Sequence, residues 1–339
     1  GQNHILRHFE NAIRMGKISH AYIINGEEGS GKMNLAIHFA KALQCERNNS
    51  NKAINEDGER ITVPGTACGQ CKSCKQTDSK NQPDIKYITY EKSGIGVDEI
   101  REQINDDIDI KPYSSPYKIY IVPESEKMTV QAQNALLKTI EEPPEYAIII
   151  LLTTNADTFL QTILSRCVML NIRPVKEDII KNQLTSQYGV GDYEARVAAT
   201  FSNGNPGKAI KLATSEEFKE LKQYVVGMFM SLEKGGMDII GEAIKKTGTF
   251  KKQIDEYFSL MRIWFRDILV YKATKEEDQI IFQDEYMTIE KMSQTYSFDD
   301  INDILKAIDL AESRIKSNVN FDSTIEILLL SIKEKTSGK

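Results

Sequence analysis

Residues Gly26-Glu27-Glu28-Gly29-Ser30-Gly31-Lys32 have the composition and spacing of a loop that wraps phosphate. Glycines let backbone N–H groups turn inward around phosphate oxygens, a following helix adds the positive end of its dipole, and Lys32 supplies a point charge. Ser or Thr ordinarily follows such a lysine, with its hydroxyl on Mg2+. Here Met33 follows, and a thioether is too soft to replace a hard oxygen. The second expected metal contact is an acidic residue at the end of a nearby strand. After Ile119-Tyr120-Ile121-Val122 the chain reads Pro123-Glu124-Ser125-Glu126, so proline takes that place and Glu124 is left as the only local carboxylate. Losing either contact costs orders of magnitude in phosphoryl transfer, which depends on positioning and charge neutralisation. Gly26, Gly29, Gly31 and Lys32 therefore read as a degenerate nucleotide site. ATP or ADP binding is left open there, Mg2+ is not expected, and no ATPase activity is expected of the chain alone.

Cys68-Gly69-Gln70-Cys71-Lys72-Ser73-Cys74 presents three thiols at successive three-residue spacings, and Cys45 upstream completes a set of four. Tetrahedral Zn2+ takes four such ligands, and an all-thiolate site is closed and structural. His4, His8, His20 and His38 all precede the cluster, so no histidine competes within it. The metal is expected to clip together a polar excursion at 46–67 that buries little by itself. A third candidate is Arg166 in Ser165-Arg166-Cys167, after a short helix expected at 159–164. Thr153-Thr154-Asn155, before it, lies where ATPases of this design put a polar sensor. A guanidinium reaching a γ-phosphate held by a neighbouring subunit stabilises transition-state charge.

The elements that must position these groups show in the periodicity. Ala21–Asn25, Lys118–Val122 and 146–154 read as buried parallel strands, with helices between them at 35–43 and 125–142, the latter stopped by Pro143-Pro144. Beyond Ile172 the β-branched runs vanish. Two helices are expected around Gly189-Val190-Gly191 within 174–212, and amphipathic helices cover 254–268, 301–315 and 325–332. The expected fold is an α/β P-loop domain at 1–172, a small helical domain at 173–213, and an all-α bundle at 214–339. Composition agrees: 339 residues, 40% hydrophobic and 27% charged, suit a folded chain of more than one domain. A net charge of −6 is the wrong sign for binding nucleic acid through a global field. No apolar run approaches the ~20 residues of a membrane span, and 1–10 lack a signal peptide's apolar centre, so a cytoplasmic place and no membrane partner are expected.

Taken together, these residues resemble the delta-prime type of clamp-loader subunit in bacterial DNA polymerase III, relatives of the AAA+ ATPases. The resemblance is carried by His20-Ala21-Tyr22, the four cysteines, Gln82-Pro83-Asp84, Lys111-Pro112-Tyr113, the run from Met128-Thr129-Val130-Gln131 to Glu141-Glu142-Pro143-Pro144, and Ser165-Arg166-Cys167. It implies an AAA+ nucleotide-fold domain at 1–172 that carries a zinc module at about 45–80, a helical lid at 173–213 and an all-α collar at 214–339, in a non-hydrolysing member of a five-subunit ring, part of the DNA-directed DNA polymerase (nucleotidyltransferase) holoenzyme. Its Arg166 would be catalytic in trans, completing the ATP site of an adjacent gamma or tau subunit. Its helical collar would join gamma/tau and delta, and the complex would close the sliding clamp around primed DNA. Gln82 stands where a histidine is common, and Gly207 replaces an arginine that hydrolysing relatives use as a lid sensor. Two other functions remain open from sequence: an active gamma/tau-like ATPase in which Glu124 rescues the metal, and a zinc-dependent DNA-binding module.

Overall fold

The computed structural model describes residues 1–49, 64–91, 93–234 and 238–337, so most of the excursion expected at 46–67 lies outside the described residues. The chain forms two compact units, Gly1–Lys176 with Asn205–Gly207, and Glu177–Gly204 with Lys208–Lys339.

The first unit is built on five parallel strands, β1 (Ala21–Asn25), β2 (Ile85–Tyr87), β3 (Lys118–Val122), β4 (Ala147–Thr153) and β5 (Val168–Asn171), in the order β2-β3-β4-β1-β5. Strands β1, β3 and β4 are where the apolar runs predict them, since a strand covered on both faces must be apolar throughout. Alternate residues serve opposite faces: Ile149, Leu151, Ile23 and Tyr120 join one core cluster, and Ile148, Ile150, Ile24 and Ile119 the other. Asn25 pairs with Thr153 and Val122 with Leu151, so the carboxyl ends of β1, β3 and β4 lie side by side. Ligands of open α/β sheets bind beyond such ends. With a phosphate loop directly after β1, which lies beside the central β4, this parallel order is that of the AAA+ core.

Motif residues tie the frame together. His20 makes a 2.9 Å hydrogen bond through Nδ1 to Ala147 O, and the Tyr22 hydroxyl accepts from Ser19 N. Asp84 accepts from the amides of Tyr113 and Ser114, and so holds the turn that feeds β3. The helix expected at 125–142 is broken. A 3-10 turn covers Ser125–Lys127, and the α-helix runs Val130–Glu141 with the Thr129 side chain capping its start.

The second unit is helical among its described residues. Helices Glu177–Tyr188 and Asp192–Phe201 flank Gly189-Val190-Gly191, and a third, Pro206–Thr214, follows that the spacing does not predict as separate. Helix Ile254–Thr274 buries Phe258, Met261, Trp264 and Phe265. Its Asp267 is fully buried and accepts from the amides of Ile281 and Phe282, both at 2.8 Å, pinning that turn to the helix. Phe298–Lys316 and Phe321–Ser337 contain the amphipathic stretches expected at 301–315 and 325–332. No helix among the described residues is long and apolar enough to cross a membrane.

Candidate nucleotide, metal and arginine sites

The glycine-rich segment forms the turn from β1 into helix Lys32–Gln44, with Gly29 and Gly31 at φ 78° and 94°, a region that favours glycine. Gly26 N donates to Thr153 O at 3.0 Å, which fastens the loop to the end of β4. Lys32 Nζ donates to the loop's own carbonyls, Gly26 O at 2.5 Å and Glu27 O at 2.8 Å. Burial pushes the Lys32 pKa below its ordinary value, and Glu126 leads the carboxylates that oppose the shift, ahead of Glu28 and Glu27. Residues 205–207 close over the loop. Gly207 N donates to Gly29 O at 3.0 Å, and Asn205 Nδ2 to Glu28 O at 2.7 Å. A Cβ at position 207 would lie 2.5 Å from Gly29 O, so this position takes no side chain without moving the loop.

Neither metal contact has an oxygen. Met33 packs against the apolar cluster on one sheet face. Pro123 follows β3, and Glu124 beyond it adopts a left-handed backbone, φ 46°. The Glu124 carboxylate is engaged by Tyr90 Oη and by Lys127 Nζ, and these bonds hold it below the usual carboxylate range. Sequence leaves Glu124 as the only local carboxylate, but the 3-10 turn also brings Glu126 to the end of β4: Thr154, the residue after the strand, donates to it from its hydroxyl at 2.7 Å and from its amide at 3.2 Å. Burial alone would raise the Glu126 pKa, but hydrogen bonds, led by that from the Thr154 hydroxyl, outweigh it and the carboxyl lies below its ordinary value.

The four cysteines come together. The Sγ atoms of Cys45, Cys68, Cys71 and Cys74 all lie within 4.8 Å of one another, and none is in a disulfide. Cys45 ends the helix that Lys32 begins, and Cys71 caps helix Lys72–Asp78, accepting from Cys74 N. Tetrahedral Zn–S bonds of about 2.3 Å set sulfur atoms about 3.8 Å apart, and Cys68 Sγ lies 3.9 Å from Cys74 Sγ. The amides of Gln70 and Cys71 donate to Cys68 Sγ and pull its pKa down to about 6, whereas burial pushes the Cys74 thiol up. Four sulfurs this close ionise together only around a cation, so the donor set fits a metal ion. Gln82, at the position where a histidine is common, is buried outside the cluster and donates to Ser73 Oγ and Ser115 Oγ at 2.7 and 2.9 Å.

Arg166 follows helix Gln161–Leu164 and is half-exposed, with its guanidinium 3.0 Å from Glu141 Oε1 and bonded to Thr162 O at 3.0 Å. An exposed ion pair of this kind contributes about 0–1 kcal/mol. Glu141 therefore holds the arginine loosely. Sequence reasoning missed two residues that place it, Glu141 and Gln133. Buried Gln133 donates to Thr158 O at 3.0 Å and accepts from Leu160 N at 2.9 Å, locking the entry to the short helix. A glutamine on the buried side of a helix was the available signal.

The family model for the DNA polymerase III delta subunit matches residues 1–176, more than half of the chain, and a second model, for the C-terminal part of the delta subunit, matches 241–334. The chain belongs to the DNA polymerase III delta subunit family. This delta-family chain is 26% identical over 337 residues to DNA polymerase III subunit delta-prime of Bacillus subtilis, covering 98% of this chain and 96% of that one. It is 34% identical over 217 residues to subunit tau of the same bacterium and 32% over 184 residues to tau of Escherichia coli. Those alignments cover 62% and 54% of this chain but only 36% and 26% of the tau chains, whereas the alignment to delta-prime of Bacillus subtilis runs nearly end to end in both chains.

Proposed function

We propose that this chain is a delta-prime-type, non-hydrolysing subunit of a DNA polymerase III clamp loader, which helps place the sliding clamp on primed DNA. The observation that carries the proposal is a phosphate loop in an AAA+ core whose metal contacts are replaced by a core-packed Met33 and by Pro123 at the end of β3. In this account the subunit lends Arg166 in trans to the ATP site of an adjacent gamma or tau subunit. The weak pair with Glu141 supports this, because it can open at little cost when a γ-phosphate offers a stronger partner.

Three parts divide the work: the AAA+ domain at 1–172, a helical lid at 173–213, and a collar at 214–339 that meets gamma/tau and delta. Zn2+ at Cys45, Cys68, Cys71 and Cys74 is structural. ATP or ADP occupies the loop formed by Gly26, Gly29, Gly31 and Lys32 without Mg2+. Such a subunit works in the cytoplasm.

The test is the ATPase of a loader reconstituted with its cognate tau and delta chains. Arg166→Ala should assemble normally and lower ATP turnover by about 10^3-fold or more at the site it serves. Unchanged turnover in an intact complex would remove the role in trans.

A further inference from the structure

We infer that Glu126 sets which nucleotide this loop prefers, favouring a diphosphate over a triphosphate. The inference rests on the proposed nucleotide binding and adds to it the number of phosphates. In a loop of this design the lysine reaches the second and third phosphates. Lys32 is bonded to Gly26 O, and Gly26 N is bonded to Thr153 O, so the residue after Thr153 lies beside the space where a third phosphate belongs. That residue is Thr154, at the position of the polar sensor. Both of its donors, the hydroxyl and the amide, are taken by the two Glu126 oxygens at 2.7 and 3.2 Å.

A third phosphate would therefore find no free donor on Thr154 and an ionised carboxylate in its way. It would also lack a magnesium ion to neutralise it, given Met33 and Pro123. Glu124 does not contribute, since Tyr90 and Lys127 engage it elsewhere. A second phosphate can still use the loop amides and Lys32, whose ammonium already feels Glu126 more than the loop's own glutamates.

The experiment is equilibrium binding of fluorescently labelled ADP and ATP to the full chain in EDTA, for wild type and Glu126→Gln, which keeps the side-chain shape and removes the charge. Wild type should hold ADP at least about tenfold more tightly than ATP, a difference of about 1.4 kcal/mol. Glu126→Gln should reduce that ratio to about twofold by tightening ATP. If both proteins bind nucleotide and the ratio does not change, or if wild type holds ATP as tightly as ADP, the role of Glu126 is wrong while nucleotide binding stands. Should neither protein bind either nucleotide, nucleotide binding falls and takes this inference with it. If the variant does not fold, the wild-type ratio decides when read at about 0.05 and 0.5 M salt: repulsion by a carboxylate shrinks as screening lengths shorten, and a ratio indifferent to salt overturns the inference.

Discussion

Met33 and Pro123 act through what they lack. A thioether turned into an apolar cluster and a ring without a carboxylate remove the two oxygens expected to hold Mg2+, and both changes are legible in the sequence because the loop spacing fixes which positions matter. Glu126 was not legible. Its place depends on a 3-10 turn and on the left-handed Glu124, and periodicity carries no signal for either. Gly207 reads in sequence as a missing arginine, whereas the structure adds a steric reason, a loop carbonyl where a side chain would start. The three-residue steps of Cys68, Cys71 and Cys74 made a cluster legible, and the fold brings Cys45 to it from the end of the phosphate-loop helix. Cys71→Ser removes one ligand and the N-cap sulfur of helix Lys72–Asp78 together. We expect purified wild type to contain about one zinc per chain and Cys71→Ser to retain far less, measured by elemental analysis of the intact protein. Equal zinc in both would contradict a four-thiolate site.

Among the elements, long buried strands announce themselves and short edge strands do not. β4 is seven buried residues of almost unbroken Ile and Leu, while β2 and β5 have three and four residues and take their strand form from pairing with β3 and β1. Helix boundaries were displaced where a side chain decides them: Thr129 starts the helix after β3, four residues later than apolar spacing suggests. That helix also positions the arginine. Gln133→Leu would leave Thr158 O and Leu160 N without their partner, and a buried group so stranded costs about 1–3 kcal/mol. Thermal unfolding should show a transition several degrees lower, and reconstituted ATPase should fall in step with the loosened Arg166. A melting curve superimposable on wild type would show that Gln133 does not set this junction.

At the scale of the molecule, the chain keeps an AAA+ frame, and in the proposed reading the positions that would seat Mg2+ at its phosphate loop have lost their oxygens. The frame has a parallel sheet, a phosphate loop and an exposed arginine whose ion pair with Glu141 is a weak surface pair. The four-cysteine cluster lies at the end of the same helix that Lys32 opens, so a metal held there would steady the loop's own support. Sequence alone divided a P-loop region from a helical remainder, because β-branched runs stop near Ile172. It could not show which groups within each part make contact across long stretches of chain. The most direct measurement is steady-state ATP turnover by the purified full chain with excess Mg2+. The account predicts a rate at background, the same for wild type and Lys32→Ala. Sustained turnover by wild type that Lys32→Ala abolishes would contradict it.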